Sequence, residues 1–434
     1  MKITYLTHFF PPEVGSSQSR VWEMCQRLSR SGNEVKVITT FPHFPLGKIF
    51  DGYKNRLRSK ELLEGLNVYR TWTFAAANKG FAFRMLDHLA FCASSLVAMP
   101  CVRPTEALIV DMPPLFLSGT ARVMARLLGA TLVLNIADLW PESAIEMGAL
   151  KNRHVIRALM RFTKSLYRRC DLIFVTASGQ GEVLRGYGVD PGKIVFVPNG
   201  VDTSLFTPGP SATEFRRKHG LLDKFVVLYG GMLGMAHGLD NVIRAANILR
   251  EHTDVIFLLV GDGAERDDLV ALSRELKTSN VVFMGLMAKE RMPEVLRSCD
   301  AGLVHLRKLP VFDKVLPSKT FEIMASAKPV LCVVGGEAAK VIENSKGGIV
   351  VPQEDPAALA EAVLTLRDDP ALGAQMGANA RRYVELHHSR DVTAKTFEAA
   401  LRTVVEGDAR YGGLTDDEGK QKSPLNTDIH THDD

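Results

Sequence analysis

Two blocks of sequence, each alternating short β-branched apolar runs with helix-periodic stretches, constrain this chain more than any other feature. The runs of the first block are Lys2–Thr7, Glu34–Thr39, Ala107–Val110, Leu132–Ile136, Leu172–Thr176 and Ile194–Pro198. Those of the second are Phe225–Tyr229, Val255–Val260, Val281–Phe283, Ala301–His305, Pro329–Val334 and Gly348–Val351. Continuous apolar runs of this length suit strands buried on both faces of a parallel sheet. Helical periodicity between them, as in Gln18–Arg30, Leu117–Leu128 and Glu265–Leu276, completes repeated βα units. The fold class expected is α/β, with two doubly wound domains and a ligand in the cleft between them. Pro208-Gly209-Pro210 reads as a linker. The boundaries expected are 1–205 for an N-terminal domain and 206–388 for a C-terminal one. A helix over 389–407 is expected to return to the first domain. The polar stretch 408–434 lacks apolar periodicity and is expected to be disordered.

A chain of 434 residues is long enough for domains with proper cores. Its net charge of +4 is too small to argue for nucleic acid. Cys25, Cys92, Cys101, Cys170, Cys299 and Cys332 are scattered without zinc-like spacing, which fits a reducing cytoplasm. Met1-Lys2 runs straight into a strand pattern, so no leader is expected. Two stretches raise a membrane surface. The segment 81–102 is apolar and helical, yet its longest uncharged run is shorter than the roughly 20 residues that span a bilayer. The segment 153–168 places Arg153, Arg157, Arg161, Lys164 and Arg168 on one helical face. Aromatics interleaved with Lys and Arg over 41–60 suit the same interface. Buried or solvated helices and an exposed loop are equally open readings. The location expected is cytoplasmic, peripheral on the inner face of the plasma membrane.

Pro317–Gly336 carries the chemistry. Pro317 and Ser318 are helix-start signals, and Pro329 ends the helix before an apolar strand. Helix-start N–H groups attract phosphate, and Lys319 adds a full charge. Glu322 offers two acceptors, which suits a pair of sugar hydroxyls. A nucleotide held by diphosphate and ribose would use both; a capped helix with two solvated charges is the alternative. Gly15, Ser16 and Ser17 form a small-residue loop at a helix start, with Arg20 nearby. The loop around Gly231 is glycine-rich and is followed by His237. Asp138 lies in Asp138-Leu139-Trp140-Pro141-Glu142-Ser143, just past a strand's carboxyl end, where open α/β sheets bind ligands.

Several stretches together resemble the retaining GT-B glycosyltransferases of family four. They are HFFPPEVGSSQSR, DLWPES, VPNGVDTSLFTP, YGGMLGMAHGLDNVIRAA, LVGDGAERDDL and PSKTFEIMASAKPVL. DLWPES and PSK resemble the WbuB-type aminosugar transferase branch of bacterial surface polysaccharide synthesis, as in O-antigen or capsule. The resemblance implies two facing Rossmann-like doubly wound domains, a UDP-sugar donor held mainly by the C-terminal one, a polyprenyl-diphosphate-linked sugar acceptor, retention of configuration, no cofactor and no metal. It implies that Glu322 holds the ribose and that Gly15 and the Gly231 loop approach the donor diphosphate. Three positions depart from the family pattern. Lys314, with Asp313 beside it, replaces a glutamate; Met232 replaces an arginine; Ala137-Asp138 replaces a His-Asp pair. His237 stands where relatives often carry lysine. Asp138, Lys319 and Asp313 are therefore the catalytic candidates. The lost cations leave Lys319, with Arg20 or Arg307, to neutralise the phosphates. Rival readings are a UDP-sugar 2-epimerase or phosphorylase of the same fold and a non-catalytic nucleotide-sugar-binding scaffold. An NAD-dependent dehydrogenase would need a GxGxxG after a first strand, which is missing.

Overall fold

The computed structural model describes residues 1–13, 15–44, 46–75, 81–146, 148 and 150–407, apart from the side chains at 16, 81, 82, 84 and 178. The expected tail, 408–434, lies outside the described residues. The described residues divide into two compact units, one holding Met1–Pro198 and Thr393–Gly407, the other Asn199–Val392.

The first unit is built on β1 (Lys2–Leu6), β2 (Glu34–Thr40), β3 (Arg58–Leu63), β4 (Leu66–Thr71), β5 (Ala107–Met112), β6 (Thr131–Ile136), β7 (Leu172–Val175) and β8 (Ile194–Phe196), in the spatial order β3-β4-β2-β1-β5-β6-β7-β8. Every pairing is parallel except β3 with β4. The sheet has core on both faces, and every residue of β5 is buried, which is why that strand reads as an uninterrupted apolar run broken only by Asp111. Strand order reverses between β1 and β5.

The second unit is built on β9 (Phe225–Gly230), β10 (Val255–Val260), β11 (Val281–Gly285), β12 (Ala301–His305), β13 (Val330–Val333) and β14 (Gly348–Val350), all parallel, in the order β11-β10-β9-β12-β13-β14. Here the reversal falls between β9 and β12. Each unit is thus doubly wound around one switch point, where loops leaving adjacent strands turn to opposite faces and open a crevice.

Two features differ from expectation. Residues 199–205 belong to the second unit, not the first. Val201 donates its N–H to the His388 carbonyl at 2.9 Å, and the Arg381 guanidinium donates to the carbonyls of Thr203 at 3.1 Å and Phe206 at 2.6 Å. Pro208-Gly209-Pro210 therefore marks a turn inside this unit. The β3–β4 pair was also missing from the strand pattern. Arg58–Leu63 alternates charged and apolar residues at a sheet edge, where only one partner strand is needed.

Helix Phe81–Ala98 sends Phe91, Cys92 and Ala98 into the core yet is apolar on its outer side as well. Asp87, Ser94 and Ser95 are buried, whereas Phe83, Leu86, Leu89 and Leu96 are exposed. The inward polar groups are engaged: the Ser94 hydroxyl donates to the Trp72 carbonyl at 2.6 Å, and the Asp87 carboxylate accepts from Thr73. The basic helix Arg153–Arg169 is capped by Asn152, whose side chain accepts from the His154 and Val155 N–H groups. Its Arg153, Arg157 and Arg161 face solvent, while Lys164 lies over the Tyr187 ring, 4.3 Å from the centroid.

Helix Arg390–Glu406 places Thr393, Ala394, Phe397, Ala400 and Leu401 on one buried face. Phe397 stacks on Phe174 of β7 at 3.8 Å between centroids, and Phe397, Ala400 and Leu401 join the core of Ile3, Tyr5 and Leu172. Truncating that ring leaves a cavity that the sheet cannot collapse into. Phe397→Ala is expected to destabilise the first unit by about 3–5 kcal/mol, against less than about 0.5 kcal/mol for Lys395→Ala on the exposed face, read by denaturant titration.

Candidate functional site

In the second unit, the candidate residues gather at the carboxyl ends of β9 and β12. After Gly230 the chain turns through Gly231 at φ +142°, beside Gly261 at φ +147° after β10. These are backbone states that favour glycine. A Cβ on Gly261 would lie 1.8 Å from the Gly231 carbonyl oxygen. The loops are joined by backbone hydrogen bonds: Gly231 N–H to the Val260 carbonyl and Leu233 N–H to the Asp262 carbonyl, both 2.9 Å. Those two N–H groups, in the loop expected to approach a diphosphate, are thus occupied within the loop pair.

Lys319 reaches this loop from the first turn of helix Ser318–Ala325. Its Nζ lies 3.8 Å from the centroid of the Tyr229 ring, and a Cβ on Gly231 would come within 2.8 Å of it. The amine is enclosed and has no hydrogen-bond partner. Burial pulls its pKa down to about 7, opposed by the Glu322 carboxylate one turn along. Burial raises the pKa of Glu322, opposed by Lys289 and then Lys319. Two lysines and one carboxylate therefore share a poorly solvated space.

His237 follows the glycine loop. Burial and then the Lys319 charge pull its pKa down to about 4, so it is neutral near pH 7. Its carbonyl accepts from Nδ1 of the buried His305 at 2.7 Å, which leaves His305 Nε2 to accept from Asn241 at 3.1 Å. That fixes one neutral tautomer. Arg307 is not left over for a ligand: it donates to the Met235 carbonyl at 2.7 Å and pairs with Asp240 at 3.1 Å. Asp313 is exposed and lies against Gly335 and Gly336 at the start of helix Gly336–Ser345.

In the first unit, Gly15 caps helix Ser16–Arg30 in an extended conformation that any residue can adopt. The side chain of Ser16 lies outside the described residues. Ser17 donates to Asp111 at 3.2 Å, and Arg20 pairs with it at 2.8 Å. Asn135 donates to both Asp111 and the Tyr5 hydroxyl, each at 2.8 Å. Arg20, expected to neutralise phosphate, is instead the counter-ion of a buried carboxylate. Its charge opposes the upward pull of burial on the Asp111 pKa. Asp138 follows β6; burial raises its pKa, opposed by a hydrogen bond from Ser143.

One cluster escaped the sequence reading. His8 and His43 lie just past the carboxyl ends of β1 and β2, and Asp87 faces them from helix Phe81–Ala98. His43 Nε2 is 2.9 Å and His8 Nε2 3.4 Å from Asp87 Oδ2. All three are buried. The available signal was a histidine two or three residues past each of two adjacent strands, with an acidic residue inside a largely apolar helix.

The sequence profile of the family described as "Glycosyl transferase 4-like domain" matches residues 15–200, and that described as "Glycosyl transferases group 1" matches residues 211–383. The chain is 28% identical over 351 residues to WcaI of Escherichia coli (strain K12), named as a colanic acid biosynthesis glycosyl transferase; the match covers 79% of this chain and 84% of WcaI. Among solved structures it is similar to sucrose-phosphate synthase from Thermosynechococcus elongatus, with a TM-score of 0.75 at 17% identity over 94% of this chain and 100% of that one. It is also similar to Anabaena HepE in complex with UDP, with a TM-score of 0.69 at 18% identity over 93% of this chain and 100% of that one. At those identities the likeness is one of fold.

An enclosed ammonium without a partner destabilises the unliganded second unit. The Lys319 pKa is depressed in the folded state, so the unfolded chain binds more protons between about pH 7 and the ordinary lysine value, and wild-type stability rises with pH across that window. Lys319→Met is expected to stabilise the unit by about 1–3 kcal/mol below pH 7, a gain that shrinks towards pH 10. Melting curves at several pH values check it.

Proposed function

The chain belongs to the family-four glycosyltransferases of GT-B fold, and from that membership we propose that it moves a sugar from UDP to an acceptor on a polyprenyl-diphosphate carrier in bacterial surface polysaccharide synthesis, with retention at the anomeric carbon. The donor sugar class proposed is an N-acetylated aminosugar or a deoxysugar. The observation that carries this reading is the partnerless Lys319 amine beside Gly231 and Glu322 at the β9/β12 switch point. A diphosphate supplies the hydrogen-bond acceptors that the amine lacks. Glu322, with its two oxygens, suits a ribose diol.

The steps follow from these groups. Diphosphate departure leaves negative charge on its oxygens and positive charge on the sugar. A preorganised ammonium in a poorly solvated site favours that charge far more than one in water. Lys319 is assigned this role. Neutral His237 offers a ring nitrogen to the same region without adding a second positive charge. The incoming hydroxyl attacks the face from which the diphosphate leaves. Asp138, whose raised pKa brings it nearer to a proton-accepting role at neutral pH, is the proposed acceptor-side group. No metal or cofactor is assigned to the transfer.

A lipid-linked acceptor places the enzyme at a membrane, in this reading the inner face of the plasma membrane. Support comes from the exposed Phe83, Leu86, Leu89 and Leu96 and from the solvent-facing Arg153, Arg157 and Arg161. Met85–Val102 is apolar and long enough to span a bilayer, yet 39% of it is buried within the protein. A helix with one side in the protein and an apolar side outward suits an interface better than a span. Arg157→Glu with Arg161→Glu is expected to cut co-sedimentation with anionic vesicles several-fold, with no change on neutral ones; equal sedimentation on both would remove the basic helix from the reading.

Donor binding is expected to be linked to the Lys319 proton. UDP stabilises the ammonium, so affinity should be level below about pH 7 and fall by up to about tenfold per pH unit above it, with proton uptake measurable by calorimetry in buffers of different ionisation heat. Lys319→Ala should weaken UDP binding by about 10- to 100-fold and abolish the proton uptake. Unchanged affinity in that variant would overturn the assignment. A donor screen with a lipid-linked acceptor extract tests the transfer itself.

A further inference from the structure

We propose that His8, His43 and Asp87 form a three-ligand divalent-metal site in the first unit, suited to zinc and separate from sugar transfer. One ring nitrogen each of His8 and His43 and one Asp87 oxygen all lie within 4.8 Å of one another. The separations to Asp87 Oδ2, 2.9 and 3.4 Å, bracket the ligand-to-ligand edge of about 3.3 Å expected of a tetrahedral ion with bonds near 2.0 Å. Two imidazoles and one carboxylate are a donor set that zinc accepts, with the fourth position left for water.

His8 carries the inference furthest. It is 1% exposed, and neither ring nitrogen has a hydrogen-bond partner. Leaving two ring nitrogens buried and unsatisfied costs free energy that a metal on Nε2 would remove in part. The surroundings also match the outer shell of a metal site. His43 Nδ1 donates to the Phe41 carbonyl at 2.9 Å, which holds the ring and directs Nε2 towards Asp87. Asp87 Oδ1 accepts from Thr73, which leaves Oδ2 to face both imidazoles. Glu13 fixes the loop beneath by accepting from the N–H groups of Phe10, His43 and Phe44, and its carboxylate lies 3.7 Å from His43 Nδ1. With two neutral imidazoles, the Asp87 and Glu13 carboxylates balance a divalent charge.

Bound there, the ion would tie the loops after β1 and β2 to helix Phe81–Ala98 through the buried Asp87. Metal-free, the same geometry has His43 donating from both nitrogens, while His8 Nε2 has only a 3.4 Å approach to the same carboxylate oxygen and no well-formed hydrogen bond.

The test uses the full chain stripped with chelator and titrated with zinc by calorimetry and thermal melting. Wild type is expected to take up one equivalent at sub-micromolar affinity and to melt higher; His8→Gln should lose that equivalent. His430→Ala with His432→Ala should keep it, which separates the site from the tail histidines. His8→Gln could misfold, so a second measurement uses wild type alone. Cobalt substitution should give the visible absorption of a tetrahedral ion, and X-ray absorption should show two imidazole shells near about 2.0 Å. Wild type and a folded His8→Gln binding zinc equally, or cobalt in an all-oxygen octahedral environment, would overturn the proposal.

Discussion

A lysine ammonium shut away from water needs compensation, and Lys319 in the unliganded second unit has little. The Tyr229 face lies under it and the Glu322 carboxylate one helical turn away, with no hydrogen bond to its Nζ. Much of the local architecture serves that placement. Gly231 leaves room where a Cβ would collide with the amine. Gly261 lets the Gly231 carbonyl approach where no side chain would fit. Helix Ser318–Ala325 enters between β12 and β13 and brings Lys319 and Glu322 to the loop together. A destabilised cation held ready is the arrangement expected where binding an anion must do chemical work.

The same logic separates Lys319 from the other cations. Arg20 and Arg307 are both held by carboxylates, the first by Asp111 and the second by Asp240. An arginine already matched to an acid fixes a loop but has little charge left for a ligand. Residue type and position near a loop could not make that distinction. The partner acids come from β5, 91 residues after Arg20 in sequence, and from the helix after the glycine loop, 67 residues before Arg307.

What was legible in the sequence followed from burial. Strands such as Ala107–Met112 and Val330–Val333 are apolar because both sheet faces are covered, and so they stand out from helices that need only one apolar stripe. The α/β class and two Rossmann-like units follow from them. The gathering of Lys319, Glu322, Gly231 and His237 was legible because each lies just past a strand end or on the helix beside one. Three things were not legible. The β3–β4 pair sits at an edge and carries charges, so it lacks the apolar signature. The boundary at 198/199 depends on Val201 pairing with Ser389, a contact between residues far apart in sequence. The His8–His43–Asp87 cluster joins three segments, and its acid lies on a helix whose composition suggests only apolar contacts.

Asp313 illustrates the limit from the other side. Its position beside Lys314 made it a candidate by analogy, yet it is exposed and sits on the Gly335-Gly336 turn. The most direct measurement is a crystal structure of the chain with UDP. A diphosphate oxygen is expected within hydrogen-bond distance of Lys319 Nζ, with the ribose hydroxyls on Glu322. Nucleotide bound elsewhere, with the Lys319 amine still without an acceptor, would contradict it.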